Sequence, residues 1–196
     1  MKRVAIINNY DSFVYNVAHL VKRATGISPD IFFNDKIPFE SLYKYTHIIL
    51  SPGPGTPNQA NDLIKVIDYI KFTHHILGIC LGHQAIVNYF GGSLVNLEQP
   101  LHGHKSPLFL KDKNDPVIGK LFSSQSKKRV INVALYHSWA ADYNTLPNCL
   151  SVGTVNEKGI IMSLYHKELP IYGVQFHPES VASDYGVEII SNWLQL

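Results

Sequence analysis

Gly78-Ile79-Cys80-Leu81-Gly82-His83-Gln84 joins two kinds of sequence. Before it, residues 75–79 form a short apolar run that reads as a buried parallel strand. After it, residues 84–90 begin a helical pattern. Cys80 therefore stands at a strand-to-helix corner, with a glycine two residues away on each side. Such a corner is strained, and small flanking residues let the backbone turn without a clash. The glycine–x–nucleophile–x–glycine elbow does the same for serine in unrelated hydrolases. It lifts the nucleophile off the sheet edge and points the free N–H groups of the helix start at the reacting atoms. Those dipoles favour a reactive thiolate. The competing reading is a small core cysteine packed between glycines.

Outward from the elbow, the first half of the chain alternates strand and helix patterns. Val4–Asn8 reads as a strand, and residues 12–24 carry a helical stripe of Phe13, Val17, Leu20, Val21 and Ala24 behind a cap at Asp11 or Ser12. A strand at 28–33, a helical turn near 39–45 and a strand at 47–51 follow, the last stopped by Pro52-Gly53-Pro54-Gly55. Residues 59–72 then place Leu63, Ile64, Val66, Ile67 and Ile70 on one helical face. Continuous apolar strands separated by helices predict a parallel sheet covered on both faces. After Gly92 the texture changes to short β-like runs at 93–97, 107–111, 129–135, 150–155, 160–165 and 171–176. They predict added antiparallel strands, with a closing helix at 187–196. The fold class is therefore α/β: an open, mostly parallel twisted sheet of flavodoxin-like type with extra antiparallel strands in the second half. Residues 1–196 read as one domain, with ligands expected at the carboxyl ends of the central strands.

Composition excludes several classes. With 45% apolar and 16% charged residues the chain is an ordinary globule and not a disordered one. A net charge of +2 gives no ground for a nucleic-acid or membrane-surface role, and Lys127-Lys128-Arg129 reads as a solvated loop. The apolar stretch after Met1-Lys2-Arg3 ends at Ile7, too short for a signal peptide, and no run reaches transmembrane length. Cys80 and Cys149 form no CxxC pair, as expected of a reducing compartment. A cytoplasmic protein is the expectation.

A cysteine nucleophile needs a base, and the base needs an orienting group. Among ten histidines, His177 in Gly173-Val174-Gln175-Phe176-His177-Pro178-Glu179-Ser180 stands out, at the end of an apolar strand. Pro178 biases His177 towards extended geometry, and residues two apart in an extended segment point the same way, so Glu179 can reach the imidazole. The competing reading is a strand-end histidine beside a surface carboxylate. Acyl chemistry also needs donors where oxyanion charge develops. The Leu81 N–H is one; Ser51-Pro52-Gly53-Pro54-Gly55 offers a second, since its glycines permit close backbone approach. A phosphate-binding loop is a poor fit there, because no P-loop lysine follows and proline removes donors. His102-Gly103-His104 and His74-His75 lack a second ligand pair at known metal spacings, so no metal is expected.

Together, Asn9-Tyr10-Asp11-Ser12-Phe13, Ser51-Pro52-Gly53-Pro54-Gly55-Thr56-Pro57, residues 78–84, Tyr136-His137-Ser138 and residues 173–180 resemble the ordered motifs of class I, triad-type glutamine amidotransferases. The likeness spans nearly the whole chain and is nearest the branch of component II of anthranilate synthase and of 4-amino-4-deoxychorismate (para-aminobenzoate) synthase. The resemblance implies a Cys80–His177–Glu179 triad that hydrolyses L-glutamine through a thioester, with Gly53 and Leu81 supplying the oxyanion hole. It further implies that Gly53, Pro54, Gly55, Gln84, Ser138 and Trp139 hold the substrate. Ammonia would pass to a chorismate-binding large subunit, component I, in tryptophan or folate biosynthesis. The glutaminase half would need no cofactor; Mg²⁺ would belong to the partner. The chain departs from that branch at Asn8 (usually Asp), Leu135 (usually Arg), Trp139 (usually Leu) and His104 (often Lys). Competing classes are a γ-glutamyl hydrolase or peptidase on the same fold, and a non-catalytic relative, which would lack a triad member.

Overall fold

The computed structural model describes residues 2–123 and 130–196; Lys127-Lys128-Arg129 lies outside the described residues. Elements β1 (Val4–Asn8), α1 (Val14–Thr25), β2 (Asp30–Phe33), β3 (His47–Leu50), α2 (Leu63–Ile70), β4 (His75–Ile79) and α3 (Leu81–Tyr89) alternate as the apolar periods predict. The second half adds β5 (Leu94–Pro107), β6 (Phe109–Leu110), α4 (Gly119–Ser123), β7 (Asn132–Ala141), β8 (Leu150–Val155), β9 (Ile161–His166), β10 (Ile171–Val174) and α5 (Gly186–Trp193). An eight-stranded sheet runs β2-β1-β3-β4-β10-β9-β8-β6. From β2 to β10 the neighbours are parallel, and from β10 to β6 they are antiparallel.

The strands alternate between two cores, as a period of two requires. Val4 and Ile6 of β1 pack with Val17 and Val21 of α1 and Ile189 and Ile190 of α5. Ala5 and Ile7 pack on the opposite face with Leu63, Val66 and Ile67 of α2 and Ala85 and Ile86 of α3. Each fully buried aliphatic side chain contributes about 2 kcal/mol, so both faces must be covered for the sheet to persist. Helices do lie on both. No helix among the described residues is long and apolar enough to cross a membrane.

Three local expectations are corrected. Neither Asp11 nor Ser12 caps α1: its N-cap is Phe13, with no side-chain cap bond, and the Asp11 carboxylate instead accepts the Phe13 N–H at 2.6 Å. The run at 93–97 belongs to a far longer strand, β5, which pairs with β7 in a separate two-stranded arm. Register shifts between Asn96 and Leu101 and between His102 and His104 carry β5 past the sequence breaks at Pro100 and Gly103. Third, β7 does not stop at Leu135 but continues through Tyr136-His137-Ser138-Trp139.

The strand order reverses direction around β1: the chain steps out to β2, then returns to the other side with β3 and β4. Crevices form at the carboxyl ends beside such a point. Here β3, β4 and β10 are adjacent, and they end in the Gly53 loop, the Cys80 elbow and the His177 run respectively.

Candidate active site

β4 ends at Ile79, and Cys80 is both the next residue and the N-cap of α3, with φ 50° and ψ −99°. A non-glycine residue in that region is strained by about 1–3 kcal/mol. The surroundings enforce it: the Cys80 N–H bonds Val174 O at 2.8 Å, and Cys80 O accepts the Gln84 N–H at 3.0 Å. The strain sits on the cysteine itself, while the neighbouring glycine serves close approach. A Cβ on Gly82 would lie 2.3 Å from Leu50 O, because the start of α3 packs directly on the end of β3. Gly82→Ala is therefore expected to cost about 3 kcal/mol by overpacking, read as a lowered midpoint in urea unfolding; an unchanged midpoint would show that the elbow yields freely.

The Gly53 loop reaches the same place from β3. A Cβ on Gly53 would meet Leu81 Cδ2 at 2.7 Å and Asn9 Cβ at 2.6 Å, so the residues expected to provide the two oxyanion donors pack against each other. A buried amide ladder fixes the loop from behind. Asn9 donates its N–H to Ser51 Oγ (2.9 Å) and its Nδ2 to Ser51 O (2.8 Å), and accepts from Asn34 Nδ2 at 2.9 Å. Asn8, one of the departures, accepts the Asp11 N–H through Oδ1 at 3.1 Å, an acceptor role that Asp fills as well.

From β10, His177 and Glu179 project together as the extended geometry predicts. Glu179 Oε1 accepts from His177 Nδ1 at 2.6 Å, with both side chains buried. Burial alone would lower the imidazole, but the neighbouring Cys80 and then the hydrogen-bonded Glu179 carboxylate outweigh it and push His177 up to about 10. An imidazolium is thus favoured between a sulfur and a carboxylate. Phe13 and Tyr136 hold the ring in place, edge-on at 6.0 Å and 5.2 Å between centroids.

A cavity of about 240 Å³ opens onto Cys80. Its walls include all six residues expected to hold substrate: Gly53, Pro54, Gly55, Gln84, Ser138 and Trp139. Tyr136 and His137 also line it, although their sequence motif gave them no expected role. The signal for them is the strand itself: β7 brings residues 136–139 to the cavity as one run. Gln175 is a further residue that sequence reasoning missed. Its side-chain Nε2 lies 3.7 Å from Cys80 Sγ, and the same two-residue alternation that links His177 to Glu179 points back to it. The departures Leu135 and His104 face each other across the arm as register partners, with Leu135 buried.

The other histidine pair has structural partners instead. His74 uses both ring nitrogens, with Thr73 Oγ1 at 2.8 Å and Leu42 O at 2.9 Å. His75 stacks on His47 at 4.6 Å.

Known proteins share this arrangement of chain. Anthranilate synthase component 2 of Saccharolobus solfataricus is 40% identical over 200 residues, covering 99% of this chain and 98% of that protein. Aminodeoxychorismate/anthranilate synthase component 2 of Bacillus subtilis is 34% identical over 194 residues, covering 98% and 95%. A solved structure from Thermoplasma acidophilum, described as a candidate GMP synthase protein, superposes with a TM-score of 0.83 at 26% identity, covering 100% of this chain and 93% of that one. The family model for class-I glutamine amidotransferases matches residues 5–196, from β1 through all three strand-end motifs to the last residue. The chain belongs to the class-I glutamine amidotransferases.

Proposed function

We propose that residues 1–196 form a single glutaminase domain acting as component II of a chorismate-aminating synthase, releasing ammonia from glutamine for a large component I partner. The observation that carries this reading is Cys80 in the wall of a cavity of about 240 Å³, with the buried, hydrogen-bonded His177–Glu179 pair acting on it from the neighbouring strand end. The relatives' names, each a second component, support the partner, and the absence of a long apolar helix among the described residues fits a cytoplasmic setting.

In this reading Cys80 Sγ attacks the side-chain amide carbon of glutamine. The S–C bond forms as the carbonyl becomes an oxyanion facing the backbone N–H groups of Gly53 and Leu81. Collapse breaks the C–N bond, and the proton held on His177 leaves with ammonia. Water then attacks the γ-glutamyl thioester, His177 takes its proton, and glutamate departs from a restored thiol. Glu179 fixes the imidazole tautomer throughout. Gln84, Ser138 and Trp139 grip the two polar ends of the substrate, and no cofactor takes part in these steps.

The test is glutamate release from glutamine in the presence of chorismate, with one type of component I supplied at a time: anthranilate-forming in one series, aminodeoxychorismate-forming in the other. Release that requires one of them assigns the tryptophan or the folate branch, and release with both assigns a shared role. No release with either, together with cleavage of γ-glutamyl peptides by the chain alone, would replace this reading with a γ-glutamyl hydrolase.

A further inference from the structure

Gln175 is wholly buried, directly after β10, and is two residues from His177 on the same face of an extended segment. A buried amide must find partners for both its donor and its acceptor. Those of Gln175 lie in the catalytic centre. Its Nε2 donates towards Cys80 Sγ at 3.7 Å, within reach of the larger sulfur atom, and its Oε1 accepts from Gln84 Nε2 at 3.3 Å. Gln84 Nε2 also donates to Trp139 O at 2.8 Å. Both partners of that nitrogen are carbonyl acceptors, so Gln84 has one orientation: its amide nitrogen is engaged by protein and its Oε1 is left for the cavity that Gln84 lines.

We propose that Gln175 is a further catalytic residue: it donates a hydrogen bond to the Cys80 sulfur and, through Gln84, sets an acceptor that selects an amide over a carboxylate. The inference rests on Cys80 being the nucleophile. A donor aimed at sulfur stabilises the thiolate that must form before attack, because a hydrogen bond to an ionised acceptor is stronger than one to a neutral acceptor. An acceptor oxygen facing the substrate pairs with the N–H of glutamine but repels the second oxygen of glutamate, so the product is held less well than the substrate. Buried amides in series polarise one another, which ties the state of the sulfur to the strand that carries Ser138 and Trp139. The titratable groups around Cys80 include His177 backed by Glu179, His83 on α3, and Tyr136 and His137 on β7. Burial pushes His83 down to about 3, so it carries no charge that could take over the role of the Gln175 donor.

Gln175→Met keeps the volume and removes the donor; Gln175→Glu keeps the shape and places an oxygen against the sulfur. The readout is the rate of Cys80 alkylation by iodoacetamide in the full chain at neutral pH, followed by peptide mapping so that Cys149 is counted apart. Expected rates fall in the order wild type, Met, Glu, with each step about tenfold. In the complex with the large subunit, glutamate should inhibit Gln175→Met more strongly, relative to glutamine, than it inhibits wild type. Equal alkylation rates in folded wild type and Met variant would overturn the inference, as would a Glu variant faster than Met. If Gln175→Met does not fold, the Glu variant against wild type decides alone. A Cys80→Ala chain that still hydrolyses glutamine would instead overturn the underlying reading, which separates the two failures.

Discussion

Cys80→Ala in the assembled enzyme should lose at least about 10⁴-fold in glutamine-dependent product formation while ammonia-dependent amination by the large subunit continues. The size of the effect follows from the position of the sulfur. Cys80 is fixed at φ 50° at the head of α3, with its N–H bonded across to Val174 O, so alanine removes the sulfur from the one place that the backbone holds it. Cys149, the second cysteine, is not among the residues that line the cavity and does not substitute. Relief of the elbow strain is small, and alanine keeps the packing around a residue that is only 6% exposed. The loss would therefore be chemical, with the fold intact. Paired assays with glutamine and with ammonium salts check it; parallel loss of both activities would point to a failure of docking between the two components instead.

Glu179→Gln should lower kcat for glutamine hydrolysis about a thousandfold with little change in KM. The carboxylate accepts the His177 Nδ1 proton at 2.6 Å, with its side chain fully shielded, so its charge acts on the imidazole at close range. An amide removes that charge and lets the ring take the wrong tautomer. The pH dependence has a definite sign. Against the lowering effect of burial, Cys80 and then Glu179 raise His177 to about 10 in the folded chain. A histidine raised on folding contributes stability that is fully present below the unfolded value near 6.5 and is lost as pH rises through the folded value. The stability gap between wild type and Glu179→Gln should therefore be full below about pH 6.5 and close towards about pH 10. Urea midpoints across that range measure it, and a gap that widens with pH would contradict the assignment.

What the sequence made legible was the local chemistry. Glycines flank a cysteine at a change of period, and a His-Pro-Glu run follows a strand; both depend on residues a few positions apart, where steric and periodic rules act directly. The parallel half of the sheet was legible for the same reason, since β1, β3 and β4 each carry an uninterrupted apolar run inside a single polar end residue. The arm was not. Pro100 and Gly103 look like ends of strands, yet two register shifts let β5 run on to Pro107 because β7 supplies partners from about thirty residues away. The ladder of Asn9, Asn34 and Ser51 is likewise made by contacts between strand ends that neither a period nor a motif encodes. Gln175 fell between the two cases. Its alternation with His177 was readable, but its value as a donor depends on β10 lying beside β4, a pairing that only the fold supplies.

The most direct measurement is an acid quench of the complete complex during turnover of carbon-labelled glutamine, followed by peptide mapping. The label should sit on the peptide containing Cys80, be released by neutral hydroxylamine as a thioester is, and be absent from Cys80→Ala. Continued glutamate release with no label on Cys80, or with label on another residue, would contradict the account.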